Sequence, residues 1–428
     1  MRTRSRTWLG AAIVSLLTAA ACEGEPSSGT TRITVMVVGD PEEIEAYRAV
    51  VARFNDSQAA VEAELIPFAE RDDLILRLST SIAGGQPPDL FLMNYRFYSQ
   101  FAARGALEPV APYLAESEAF SEADFFDTAM TPFRWDGEQV CMPQNVSSLV
   151  VYYNADLFRS AGVELPQDGW AWDDMVAAAK KLTRDRDDDG TVDVYGLGVD
   201  PEIIRVAPFI WSNEGRLVDD ETSPTRFSLD GAAVVALDTF FDLRRLHGVT
   251  PTDEEAEAED FESRFVNGRL GMLMESRRVV PTLRTITDFE WDVVGSPSLG
   301  SPASILHSDA YCMTAGSDAK DEAWRFMEFA LGPEGQRIAS EAGRTVPSLR
   351  SVADSDAFLD PDALPANGQA FLDQIPDLRS VPTISTWPEI EDAVNGLLEE
   401  AYYAGGSGLE VAVELDTRTR DLFARAET

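Results

Sequence analysis

Residues Ile33–Val38 read ITVMVV, and the chain runs on through PEEIEAYRAVVARFN (41–55), VEAELIP (61–67), DDLILRLSTSI (72–82) and LFLM (90–93). A short unbroken apolar run such as ITVMVV suits a strand covered on both faces, as in a parallel sheet. The following segment places Ile44, Tyr47, Val51 and Phe54 on one helical face, with Pro41 at its start and Glu42 and Glu43 in the first turn, where the helix dipole favours acids. Strand, helix, strand, helix, strand is the rhythm of an open α/β sheet.

Further along, the rhythm breaks at 120–137 and resumes with an extended stretch at Val140–Tyr153. A second α/β unit follows. Helices are expected near Asp173–Thr183, Leu229–His247 and Phe261–Asn267, and strands near Leu270–Met274 and Trp291–Val293. The acidic run Asp253–Asp260 reads as a solvated loop or helix cap. Residues 310–316 are strand-like; 319–330, 333–342, 389–403 and 409–426 are helical.

The 428 residues carry 35 Lys+Arg against 74 Asp+Glu, a formal charge of −39, with 44% hydrophobic residues. Such a polyanion is repelled by phosphates, which argues against a nucleic-acid partner. The start of the chain accounts for the compartment. Arg2, Arg4 and Arg6 precede the apolar run Trp8–Ala21, too short to span a bilayer and suited to a signal-peptide core. Ala19-Ala20-Ala21-Cys22 resembles a lipobox, with Ala19 where Leu is commoner, so residues 1–21 are expected to be removed and Cys22 lipidated. Ordinary secretion at the same small-residue site is the alternative. Residues 22–31, polar and rich in Gly, Ser and Pro, suit a tether. The expected location is therefore the outer face of the cytoplasmic membrane, at the cell surface or in the periplasm. Cys141 and Cys312 then remain, a disulfide candidate in an oxidising compartment or two separately buried thiols.

Six segments resemble, in order, the extracellular solute-binding proteins of bacterial ABC importers, in particular the large sugar-binding class that includes maltose-binding protein. They are SIAGGQPPDL (81–90), GALEPV (105–110), YNADLF (153–158) followed by Ala161-Gly162, WDDM (172–175) with AKKLT (179–183), FVNGRLGM (265–272) and KDEAWRF (320–326). The resemblance implies an α/β, two-lobed periplasmic-binding-protein-like fold with discontinuous lobes joined by hinge strands. Residues 32–142 and 309–346 would form lobe 1, and residues 143–308 and 347–428, with the C-terminal helices, lobe 2. It also makes Val140–Met142 and Tyr311–Met313 neighbouring strands, which favours the Cys141–Cys312 bridge. The implied function is capture of a sugar or related polyol, a mono- or oligosaccharide, in the interlobe cleft by a lipid-anchored monomer. Delivery would be to ABC permease subunits.

Ligands of open α/β sheets lie beyond the carboxyl ends of strands. Asp40 follows the first strand, Asn94 and Tyr95 the third, and Asn145 sits where the chain enters the second lobe. Asp40, Asn94 and Asn145 suit hydrogen bonding to hydroxyls, and Tyr95, Trp211 and Trp387 suit stacking on sugar C–H faces, with core packing as the alternative for each aromatic. Trp211 opens WSNEG, which resembles the family's cleft-lining region, and Trp387 stands at the family's late cleft aromatic. Glu275 and Arg277, or its neighbour Arg278, follow a strand, and His307, Asp309 and Arg344 lie at the expected crossings; a surface ion pair is the alternative for Glu275 and the arginines.

The loop DRDDDG (185–190) spaces Asp185, Asp187, Asp189, Thr191 and Asp193 as in a calcium loop, but Gly196 stands where a bidentate Glu would close the shell. Structural calcium and a plain Asx-turn are the two readings. No other cofactor is expected. The two His residues lack a nucleophile partner, and no G-x-S-x-G, H-E-x-x-H or phosphate-loop motif occurs, so no catalytic residue is assigned. The competing functions are an exported carbohydrate-active enzyme using paired carboxylates and a receptor that feeds a sensor rather than a permease.

Overall fold

The computed structural model describes residues 29–427. The segment expected to be a signal peptide, 1–21, and the expected lipidation site, Cys22, lie outside that range. No helix among the described residues is long and apolar enough to cross a membrane.

Two sheets organise the chain. In the first, Val61–Phe68, Thr31–Val38 and Leu90–Asn94 are parallel neighbours, and Asp309–Thr314 joins antiparallel to Leu90–Asn94. The far edge of Asp309–Thr314 is shared by Leu107–Glu108 and Cys141–Pro143. In the second sheet the order is Trp291–Gly295, Val150–Asn154, Leu270–Glu275 and Tyr195–Gly198. Every residue of Leu270–Glu275 and of Val150–Asn154 is buried, which is why these strands are apolar on both faces rather than alternating. Cys141 and Cys312 face each other across the antiparallel pair and are disulfide-bonded, with Cα atoms 4.4 Å apart.

Three segments pass between the sheets side by side. Val146 N donates to Val346 O (2.9 Å), while Ser147 and His307 exchange backbone bonds at 2.8 and 2.9 Å. Asn145 also bridges Pro347. The run expected as one extended stretch at Val140–Tyr153 is thus two strands, Cys141–Pro143 and Val150–Asn154, separated by the first crossing. It changes sheets midway because each half pairs with a different partner.

Several motif residues turn out to hold the frame. Asp89 accepts bonds from Thr34 N (2.8 Å), Thr34 Oγ1 (3.0 Å) and Ser317 Oγ (2.6 Å), pinning two strands and a loop together. Asn154 caps helix Ala155–Ala161 through Leu157 N (3.0 Å), and Gly162 ends it at φ 64°, a left-handed turn that suits glycine. Two helices differ from expectation. Asp253–Ala258 is a helix, its N-terminus closed by Thr252 and Glu255 in a capping box. Ile203–Ser212 is a helix with all ten residues buried, so it shows no polar face for periodicity to register.

Candidate functional site

The two sheets and the crossing segments enclose a cleft of about 640 Å³, within the range of small-molecule sites. One wall is made by turns that follow strands of the first sheet: Gly39 and Asp40, Ala69 to Asp72, and Asn94 with Arg96. The other wall holds Asp200, Glu202 and Arg205 beyond strand Tyr195–Gly198, and Glu275, Ser276 and Arg278 at the end of Leu270–Glu275. The crossings contribute Asn145, Ser147, His307, Asp309, Arg344 and Thr345. Of the residues expected from sequence, Asp40, Asn94, Asn145, Glu275, His307, Asp309 and Arg344 come together here.

The cleft is dominated by charges already engaged with one another. Arg344 pairs with Asp40 and, at 2.9 Å, with Glu43, and it also donates to the Arg278 carbonyl at 3.1 Å on the opposite wall. Asp40 has a second task as N-cap of helix Pro41–Ser57, accepting from Glu43 N at 3.0 Å. Burial pushes the Glu43 carboxyl up to about 7, against the pull of Arg344. Glu275 is 3% exposed and pairs with Arg205 and, at 3.1 Å, with Arg278. Burial alone would raise its carboxyl, but the two guanidiniums and the Ser276 N–H outweigh it and hold the group at about 2. His307 is pushed well below its usual range by burial and by Arg205, whose Nη1 lies 3.4 Å from Nε2, so its ring stays neutral. Asn145 and Asp309 exchange two bonds, Asn145 Nδ2 to Asp309 Oδ2 (3.2 Å) and Asp309 N to Asn145 Oδ1 (3.0 Å). Such polar, fork-shaped groups can grip hydroxyls and charged substituents.

Four expected contacts lie elsewhere. Tyr95 begins helix Tyr95–Ala102 with its ring fully buried and its hydroxyl accepting from Val381 N at 3.3 Å. Trp211, on the wholly buried helix, is 6% exposed and lies under the Arg379 guanidinium, 4.9 Å from its ring centre. Trp387 is fully buried, donating from Nε1 to Glu391 at 2.9 Å and packed near Phe227. None of the three lines the cleft. Arg277 is 1% exposed between the rings of Phe358 (4.4 Å) and Phe371 (4.8 Å), and burial lowers its guanidinium to about 10. The tight turn Arg277–Val279 separates successive side chains by about a third of a revolution. Arg277 therefore enters the core and Arg278 reaches the cleft.

Several cleft residues were not anticipated: Glu43, Arg71, Arg96, Ser147, Asp200, Glu202 and Arg205. Asp200 and Glu202 obey the same strand-end rule that points to Asp40 and Asn94, so that signal was present. Arg205 belongs to the helix that periodicity misses. At the acidic loop, Asp185, Asp187 and Asp193 carry oxygens within 4.8 Å of one another. Asp189 instead accepts from Thr191 N at 2.7 Å, the bond of an Asx-turn, and Asp185 accepts from Gly190 N at 2.7 Å, closing the loop across five residues.

The model of the bacterial extracellular solute-binding protein family matches residues 49–366. A binding protein of Brucella abortus is 24% identical over 372 residues, covering 85% of this chain and 84% of its own. By structure, the chain is similar to an ABC substrate-binding protein of Listeria monocytogenes solved with cycloalternan (TM-score 0.83, 24% identity, 92% of this chain and 99% of that one). It is also similar to the sugar-binding protein MalE of Xanthomonas citri (TM-score 0.80, 21% identity, 92% and 98%).

Proposed function

Because this chain belongs to the bacterial extracellular solute-binding proteins, we propose that it captures a sugar or related polyol between its lobes and hands it to an ABC permease. The observation that carries this reading is the cleft itself. Hydrogen-bonding side chains converge on it from both sheets, and three crossing segments, able to act as a hinge, pass beneath. A ligand touching both walls has more contacts when they close, which is the differential affinity a population shift requires. In this reading the protein is exported, held at the membrane by lipid on Cys22, and acts as a monomer. Several acyl chains on one cysteine hold a protein far more firmly than one. The acidic loop is read as an Asx-turn that can also take calcium through Asp185, Asp187 and Asp193.

The test is titration of the purified protein with a panel of sugars, oligosaccharides and polyols by calorimetry and tryptophan fluorescence. Saturable one-to-one binding with the ligand recovered unchanged is the expected result. Conversion of the ligand, or no binding across the panel, would overturn the reading. A calcium titration of the same sample, compared with Asp185→Asn, tests the loop by its shift in thermal midpoint.

A further inference from the structure

The charges of the cleft do not balance, and the imbalance bears on what fills it. Eight carboxylates line it against five guanidiniums. Four of the five arginines are already matched: Arg344 to Asp40 and Glu43, Arg205 and Arg278 to Glu275, and Arg96 to the buried Glu391. Of the cleft carboxylates, Glu70, Asp72, Asp200, Glu202 and Asp309 have no cation within ion-pair distance, and of the five cleft arginines Arg71 has no carboxylate within it. The unmatched acids stand on both walls. Arg344 bonds both walls at once, to Asp40 and Glu43 on one and to the Arg278 carbonyl on the other, so the walls lie close together.

Resting on the reading of the cleft as a solute site, we propose that the solute is a sugar or polyol carrying a protonated amino group. Closing the lobes squeezes water from between unmatched carboxylates and strengthens their repulsion. An ammonium placed among them removes that repulsion, and so favours the closed form in a way a neutral solute cannot. Asp200, on the wall opposite Asp72, has no ion-pair partner among the described residues. It is accessible from the cleft, yet desolvation by the surrounding protein pushes its carboxyl up to about 6, with Arg205 only partly opposing. A metal ion fits the unmatched acids less well than an organic amine. Three convergent ligand oxygens occur among the described residues at Asp185, Asp187 and Asp193, outside the cleft, and the cleft acids do not gather in that way. The rest of the lining suits hydroxyls. No tryptophan faces the cleft, and its one aromatic residue, Tyr47, donates its hydroxyl to Glu43 at 2.6 Å. Hydroxyls are left to Asn94, Asn145 and the free edges of the matched arginines.

The proposal is tested by calorimetry on matched pairs: glucosamine with glucose, 1-amino-1-deoxysorbitol with sorbitol, and the glucosamine dimer with its N-acetylated form and with cellobiose. Glucuronic acid serves as the anionic arm. The amine of at least one pair should bind about tenfold tighter than its neutral partner, and the preference should shrink as salt is raised. Asp200→Asn with Glu202→Gln should abolish the preference while the thermal midpoint shows a folded protein. Asp72→Asn gives the same reading from the other wall. Equal or tighter binding by a neutral or anionic member overturns the amine and leaves the receptor standing. Failure of every matched pair overturns the amine as well, and the wider panel above then decides separately whether the cleft binds a solute at all.

Discussion

Glu43 and Glu275 show how two buried carboxylates of one cleft are driven in opposite directions. Glu275 has two guanidiniums close by that outweigh its burial, whereas Glu43 is raised by burial and by the like charges of Asp309 and Asp40, against which Arg344, shared with Asp40, and the Tyr47 hydroxyl pull only in part. Glu43 holds its proton to about 7 in the folded protein against 4.5 for an ordinary glutamate, so the native state binds more protons than the unfolded chain between those values. Stability therefore falls as pH rises through that window, by up to about 3 kcal/mol. Glu43→Gln should remove this contribution to the slope. Urea unfolding of both proteins at pH 5 and pH 8 checks this, and an unchanged difference between them at the two pH values would refute it. Arg205→Met leaves Glu275 with Arg278 alone and should cost about 3–5 kcal/mol in the same assay, because an under-compensated charge stays buried. For binding, Asn145→Ala should weaken the captured solute about tenfold. Trp211→Phe and Trp387→Phe should leave its affinity unchanged, since both rings lie in the core.

Among the elements, the strands around the first sheet were readable because their apolar runs are local. Thr31–Val38, Val61–Phe68 and Leu90–Asn94 fall within a residue or two of the expected runs. Helix Ile203–Ser212 was not readable, since a helix buried on every side has no period to find. Arg205 goes unidentified with it, and Trp211, expected in the cleft from the likeness of WSNEG to the family's cleft-lining region, lies buried on this helix instead. The pairing of Cys141–Pro143 with Asp309–Thr314 places the disulfide beside the crossings and closes a loop of 171 residues. Replacing both cysteines by Ala should lower stability by about 2–5 kcal/mol, measured by thermal unfolding. The same loss should appear when the unmodified protein is reduced.

For the whole molecule, the expected motion is closure of the two sheets about the crossings at Asn145–Ser147, Leu306–His307 and Val346–Pro347. Arg344 already spans the cleft, bound to Asp40 and Glu43 on one side and to the Arg278 carbonyl on the other. Saturating solute should reduce the radius of gyration measured by X-ray scattering. Arg344→Ala should weaken both the binding and the compaction. A ligand that binds without compaction would show that closure is not part of capture.

The amino-acid sequence by itself determined the α/β rhythm, the acidic character that argues against a nucleic-acid partner, and the cleft residues that sit just past strand ends, such as Asp40 and Asn94. These depend on neighbours within a turn or two of chain. Tertiary structure alone decided which charges cancel. Arg344 meets Asp40 across 304 residues, Arg96 meets Glu391 across 295, and Arg205 meets Glu275 across 70. It also decided that Arg278 faces the cleft while adjacent Arg277 is enclosed by Phe358 and Phe371. An ion pair or a buried ring is settled by whatever the fold brings within a few ångströms, and no spacing along the chain encodes that. Only after those pairings are made does the remaining excess of carboxylates become visible.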